Sequence, residues 1–368
     1  MRMALAARPD DPDAMLGLSR ALVEDNQTEA GLREALQLIN TDKTYGPVYD
    51  YLFQHYAQAG DPASAESVLK LKVSNNPKQA AYILELGRYY MALKRPDDVA
   101  ATLKRLTDNP ADFPDGHLQA GDFYVAAGAP DLAISQFEAG LLTAANDKKA
   151  ANNKNVYRKR MALILATQRK WPEVYKQLQD CLALDPNDQR AKLMRAVAWV
   201  DEGKPENLDP AVAELTAQAK AQPQDTLVHF QLGSALARKG DQDGARREWA
   251  AAARQDVRSL PPRYALAQMD LAQGKAQDAL RVAEEIAAIA PRDERALVLR
   301  ATCLIAAGQF QRAESELTRL AGAFPRSARV RIIMGVPGSV SEPPRSVSLP
   351  PVTVTRACRS MVVRCVMA

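Results

Sequence analysis

The chain has 368 residues, with 48 Lys and Arg against 44 Asp and Glu and a net charge of +4. Charged residues make up 25% and the apolar set 47%, which excludes a globally disordered chain, while few aromatics (6%) and abundant Ala favour packed helices over sheets. No run approaches the 18 or so uncharged apolar residues that a membrane-spanning helix needs.

In chain order, residues 1–9 (MRMALAARP) read as the closing half of a helix ended by Pro9. From there a period of 34 sets in. Ser19, Phe53, Gly87 and Gly121 are each 34 apart, and so are Gly233, Ala267, Ala301 and Gly335. Gly240, Gly274 and Gly308 form a second row in phase, and Ala245, Ala279 and Ala313 a third. Within a unit the spacing is helical: Ile83, Leu86, Gly87 and Tyr90 lie on one stripe. After Lys94-Arg95-Pro96-Asp97-Asp98 comes a second stripe, Val99, Leu103 and Leu106, and Asn109-Pro110 closes the unit. Pro96 suits the first turn of that second helix, where a missing N–H costs nothing.

Each unit is therefore predicted to be a helical hairpin of a first helix (A) and a second (B). The units fall near 12–45, 46–79, 80–113, 114–147, 155–188, 189–225, 226–259, 260–293 and 294–327, with the start of a tenth at 328–335. Phase is kept through two insertions, in residues 146–154 (NDKKAANNK) and 204–210 (KPENLDP). Both are polar, and both are expected to be loops outside the packed faces. Small residues such as Gly233 and Ala245 are expected where A and B cross closely, opposite Leu232, Leu236 and Trp249. Neither helix buries its face alone, and stacking of neighbours supplies the core. The last 33 residues, 336–368, are rich in Pro, Ser and Val and carry no repeat signal. The expectation is a piece of a longer array, followed by a segment that is unrelated to the repeat and disordered or non-native.

On these residues the chain resembles the tetratricopeptide repeat family. The seventh unit carries its pattern as Leu232-Gly233, Leu236, Gly240, Ala245 and Trp249, and the second as Leu52, Tyr56, Gly60, Ala65, Leu69 and Pro77. The fourth has Ala120-Gly121, Tyr124, Gly128, Ala133 and Phe137; the ninth has Ala301, Leu304, Gly308, Ala313, Leu317 and Pro325. The resemblance covers residues 1–335. Departures are the missing early Trp, Phe53 in place of a small residue, and the two insertions. Pentatricopeptide arrays, which read RNA, have a 35-residue unit and fit less well.

The resemblance implies an all-α, right-handed solenoid and a concave groove lined by helix A. Carried over by position, the groove residues are Asp50, Gln54, Leu84, Arg88, Met91, Leu118, Asp122, Val125, Lys159, Leu163, Leu193, Val197, Phe230, Ser234, Tyr264, Gln268, Val298 and Thr302. This mixture of apolar and sparse polar groups suits a peptide segment or a partner's helix. Members of the family that clasp a C-terminal carboxylate use Lys and Asn at fixed offsets; here Lys159 has Leu163 where that Asn belongs, so binding of that kind is not expected.

No catalytic constellation is present: no GxxxxGK[ST], GxGxxG, HExxH or GxSxG. Cys181, Cys303, Cys358 and Cys365 are scattered without a CxxC pair, and His55, His117 and His229 lie in different segments, so neither a disulfide framework nor a metal centre is expected. No cofactor is called for. His117 and His229 occupy the same offset in the fourth and seventh units. Cys365-Val366-Met367-Ala368 has the form of a prenylation box and Asn26-Gln27-Thr28 that of a glycosylation sequon, and neither is given weight. Residues 1–150 carry 15 Lys and Arg against 21 Asp and Glu, and residues 151–335 carry 29 against 22. That asymmetry reads as solvated helix faces; without interleaved aromatics, nucleic-acid binding is not expected.

The reading is a non-catalytic scaffold that binds a protein or peptide partner, with bacterial envelope or exopolysaccharide-secretion assemblies as the narrower likeness. The alternative is the substrate-binding array of a larger enzyme whose catalytic domain lies outside this chain. MRMALAARPDDPD has no signal-peptide pattern. This leaves the cytoplasm as default, or the periplasm or envelope if a segment precedes it.

Overall fold

The computed structural model describes residues 11–145 and 151–334. All regular structure among these residues is α-helical, in nineteen helices. They divide into two compact units, residues 1–160 and 161–368, with the division inside one helix. The expected start at 1–9 and the tail at 336–368 lie outside the described residues.

The first unit holds four hairpins. They are α1 (Pro12–Glu24) with α2 (Thr28–Thr41), α3 (Gly46–Gln58) with α4 (Pro62–Asn75), α5 (Ala80–Ala92) with α6 (Pro96–Thr107), and α7 (Gly116–Ala126) with α8 (Pro130–Ala145). It also holds the opening of α9 (Ala151–Thr167). The second unit continues with α10 (Trp171–Leu184) and then α11 (Gln189–Glu202) with α12 (Pro205–Ala221). Next come α13 (Thr226–Arg238) with α14 (Gln242–Gln255), and α15 (Leu260–Ala272) with α16 (Ala276–Ile289). The last hairpin is α17 (Glu294–Ala306) with α18 (Phe310–Ala323), followed by the short α19 (Ala328–Met334). Odd-numbered helices are the A helices. Within each unit, A packs on its own B and B packs on the next A, which is an α-solenoid.

Local chemistry sets the helix starts. Asp61, Asp188, Asp241 and Asp293 each accept a backbone N–H three residues on, at 3.0, 2.9, 2.8 and 2.9 Å. Pro12, Pro62, Pro96, Pro130 and Pro205 occupy the first position of their helices, where no intrahelical donor is needed. The A-to-B turn has one left-handed residue at a fixed place. Gly240, Gly274 and Gly308 hold φ of 86°, 72° and 74°, and Asn26, Lys94 and Arg169 hold 61°, 57° and 59° at the equivalent place. Glycine meets that need without strain, and Asn26 tolerates it; Lys94 and Arg169 do not.

The cores run between hairpins. In the first unit Leu16, Leu38, Tyr49 and Leu52 are buried together. Gly121 accepts the Phe137 ring so closely that a Cβ there would overlap it, and Tyr157 packs on Phe137 with ring centroids 6.3 Å apart. In the second unit Gly233 accepts Trp249 in the same way. Phe53, which replaces a small residue, is half-buried and meets Tyr89 edge to face at 5.7 Å.

Two expectations need correction. Residues 151–154 of the first insertion are helical and lengthen α9 at its start, leaving only 146–150 outside the described residues. The second insertion is no loop either: α12 begins at Pro205 and runs through Pro210 inside the helix, 17 residues against 14 for α14. Pro210 forgoes one backbone hydrogen bond, but the helix has already turned once and has apolar faces to bury through Ala211 and Leu215.

Candidate functional site

The candidate face is the exposed side of the A helices. In the first unit it is charged. Lys72 reaches from α4 between two A helices, with its Nζ 2.5 Å from Asp50 and 2.7 Å from Glu85, 4.3 Å over the Tyr82 ring. Burial opposes the ammonium charge, but the bonds it donates to Asp50 and Glu85 outweigh it, and its pKa is raised. Asp122 is held by Arg160, with Nε to Oδ1 at 3.1 Å and a second contact at 3.3 Å. Burial nevertheless raises the Asp122 pKa, since the arginine offsets only part of the desolvation. Gln54 and Arg88 are exposed, while Leu84, Met91, Leu118, Val125 and Lys159 are half-buried. Asp50 and Asp122 are thus engaged within the protein, and Gln54 and Arg88 stand clear of it.

In the second unit the face is more apolar. Leu163, Leu193 and Phe230, expected in the groove, are instead buried, at 8%, 7% and 6% exposure. Leu193 joins Ala196, Val200 and Leu232, and Phe230 packs with Trp249 and Met269. Val197, Ser234, Tyr264, Gln268, Val298 and Thr302 remain half-exposed. The hydroxyls of Ser234 and Thr302 donate to the carbonyls of Phe230 and Val298, each at 2.9 Å. Burial, with Asp293 nearby, pushes the Tyr264 hydroxyl up to about 12 despite Arg295, whose guanidinium lies 5.2 Å above the ring.

The sequence did not reveal the polar pairs that tie A to B. His229 Nδ1 lies 2.6 Å from Glu248, and its counterpart His117 lies 3.1 Å from Gln136, both nineteen residues on. Arg195–Glu214 at 2.5 Å and Arg300–Glu316 use the same place on helix B. Alignment of Glu214, Glu248 and Glu316 in the 34-residue frame is the signal that could have found them. Among the described residues no group of three His, Cys, Asp or Glu is arranged to hold a metal, and no helix is long and apolar enough to cross a membrane.

Tetratricopeptide repeat models match residues 204–261 and 270–335. The chain carries tetratricopeptide repeats. The type IV pilus biogenesis factor PilW is similar in structure, with 16% identity and a TM-score of 0.51 over 59% of this chain and 96% of that one. A tetratricopeptide repeat protein of Thermus thermophilus shares 21% identity over 52% of this chain and 98% of its own, with a TM-score of 0.44. One from Parabacteroides merdae shares 15% over 70% and 100%, with a TM-score of 0.47. No curated protein matches the sequence. Tetratricopeptide repeat proteins are interaction scaffolds, typically non-catalytic, that bind proteins or peptides.

Proposed function

We propose that this tetratricopeptide repeat scaffold binds a segment of a partner protein along the A-helix face of residues 161–334. One observation carries the reading: Tyr264, Leu271, Val298 and Ile305 keep part of their apolar surface in solvent at equivalent places of adjoining A helices. The half-exposed Ser234, Gln268 and Thr302 run between them and supply the sparse polar groups that fix a bound chain. The first unit, taken by itself, has a more polar A-helix face, with Asp50 and Asp122 paired and Gln54 and Arg88 exposed. The Ala- and Arg-rich repeats support a bacterial setting, an envelope or exopolysaccharide-secretion assembly being the narrower form.

Affinity capture with the full chain tests it, with Val298→Asp and Ile305→Asp beside Arg281→Glu on the exposed side of a B helix. Partners lost with the first two and kept with the third support the reading. Partners indifferent to Val298→Asp and Ile305→Asp overturn it.

A further inference from the structure

We infer that the last A helices of the described chain hold an acidic, partly apolar segment of a partner protein, clasped by Arg295 and Arg329. This rests on the reading that the A-helix face binds protein segments and names the chemistry of what one part of it takes. The two arginines are 34 residues apart, at the same place near the starts of α17 and α19. Three residues on from each, one turn along the same face, stand Val298 and Ile332. Ile332 is 69% exposed, an unusual place for an isoleucine, and Arg329 is exposed beside it.

The nearby carboxylates have partners within the protein and form no ion pair with either arginine, although Asp293 lies close to the Tyr264 hydroxyl. Asp293 caps α17 through the Ala296 N–H at 2.9 Å, and Glu294 accepts from the Ser327 hydroxyl at 2.6 Å. Arg300 on the same helix has Glu316. Among the described residues Arg295 has only the Tyr264 ring and Arg329 has no ion pair. Two guanidinium groups in register, each with apolar surface one turn away, call for a segment that brings its own carboxylates and apolar side chains. Residues 336–368 of this chain have four Lys and Arg against one Glu, so their charge does not match the arginines.

The spacing makes the inference specific. Packed helices lie about 8–10 Å apart, and a segment in the polyproline II conformation, with three residues per turn, advances about 3.1 Å per residue and so keeps every third side chain on one face. Carboxylates about three residues apart therefore reach both arginines.

Fluorescence anisotropy of the full chain tests this with a labelled, capped peptide, GSGELAELGSGS. Its counterparts carry Gln in place of both Glu, the two Glu side by side, or Lys in place of Glu; a single-stranded oligonucleotide of random sequence is the last probe. The acidic peptide should bind, and Arg295→Ala or Arg329→Ala should each weaken it about 3- to 10-fold, with circular dichroism unchanged. The Gln peptide should lose as much, and higher salt should weaken binding. Equal binding of the Glu and Gln peptides, both abolished by Val298→Asp, would reject the arginine pair but keep the A-helix face. Binding of none of the peptides, or arginine-dependent binding of the oligonucleotide alone, would overturn the inference; Val298→Asp capture then decides the broader reading separately.

Discussion

The indole of Trp249 covers the bare Cα of Gly233, and its Nε1 donates to the Phe230 carbonyl at 3.1 Å. One residue on helix B thereby fixes how closely helix A can approach and ties down its backbone. Gly121 and Phe137 repeat the steric half of this relationship. Gly121→Leu and Gly233→Leu should each cost about 1–3 kcal/mol or more by overpacking. Trp249→Phe should cost about 1–2 kcal/mol, since the smaller ring leaves space and the tie from helix B to the Phe230 carbonyl is lost, the Ser234 hydroxyl remaining as a donor from helix A. Urea unfolding checks all three, and unchanged midpoints for both leucine variants would contradict the close crossing.

Lys94 and Arg169 occupy the left-handed turn position that glycine fills in other repeats. The conformation costs a side chain about 1–2 kcal/mol, whereas glycine's extra freedom in the unfolded chain takes back about 0.5–1 kcal/mol. Lys94→Gly and Arg169→Gly should therefore stabilise the protein by about 0.5 kcal/mol each, and Gly274→Ala should destabilise it. Differential scanning calorimetry reads the signs, which are opposite for the two kinds of change.

Glu66 receives Lys70 and Arg95, each at 2.6 Å, and the Tyr90 hydroxyl at 3.1 Å. The Lys70 and Arg95 bonds bring its pKa down to about 2 from 4.5. A carboxylate with a lowered native pKa stabilises the fold above its unfolded value, and that contribution disappears as pH falls through the native one. Glu66→Gln should therefore cost about 1 kcal/mol at pH 7, allowing for solvent screening, and the difference from the unaltered protein should close between about pH 4.5 and 2. Urea midpoints across that window measure it; a gap that persists at pH 2 would rule the pairing out as its source.

Cys303 is fully buried, and burial raises its thiol pKa to about 12. The thiolate is the reactive form, so alkylation by iodoacetamide at about pH 8 should leave Cys303 unmodified in the native protein and modify it in urea. Peptide mass spectrometry distinguishes the two, and rapid native labelling would show that α17 opens.

The helical hairpins were legible because the 34-residue rows survive in single residues: Gly240, Gly274 and Gly308 mark turns whatever surrounds them. The insertions were not, because a proline next to polar residues reads as a break. Pro210 lies inside α12, where the burial of Ala211 and Leu215 outweighs one lost hydrogen bond. Position along the repeat also named the A-helix face but not its exposure. Phe230 and Tyr264 occupy the same place in successive units. Trp249 and Met269 cover the first, whereas the second stays half-exposed beside Arg295. Exposure depends on the volume of side chains in neighbouring repeats, which the register does not specify.

The left-handed residue recurs at the same distance behind the start of every A helix from α11 to α17, although one B helix between them is three residues longer. Extra length is absorbed upstream of the next hairpin, so each turn is cut to one template. Duplication or loss of a whole 34-residue block would leave the turns and register of the flanking hairpins as they are, with only the side chains at the new junction to be matched. Genes for such a chain can therefore gain or shed hairpins by unequal recombination, lengthening or shortening the A-helix face without redesigning its turns.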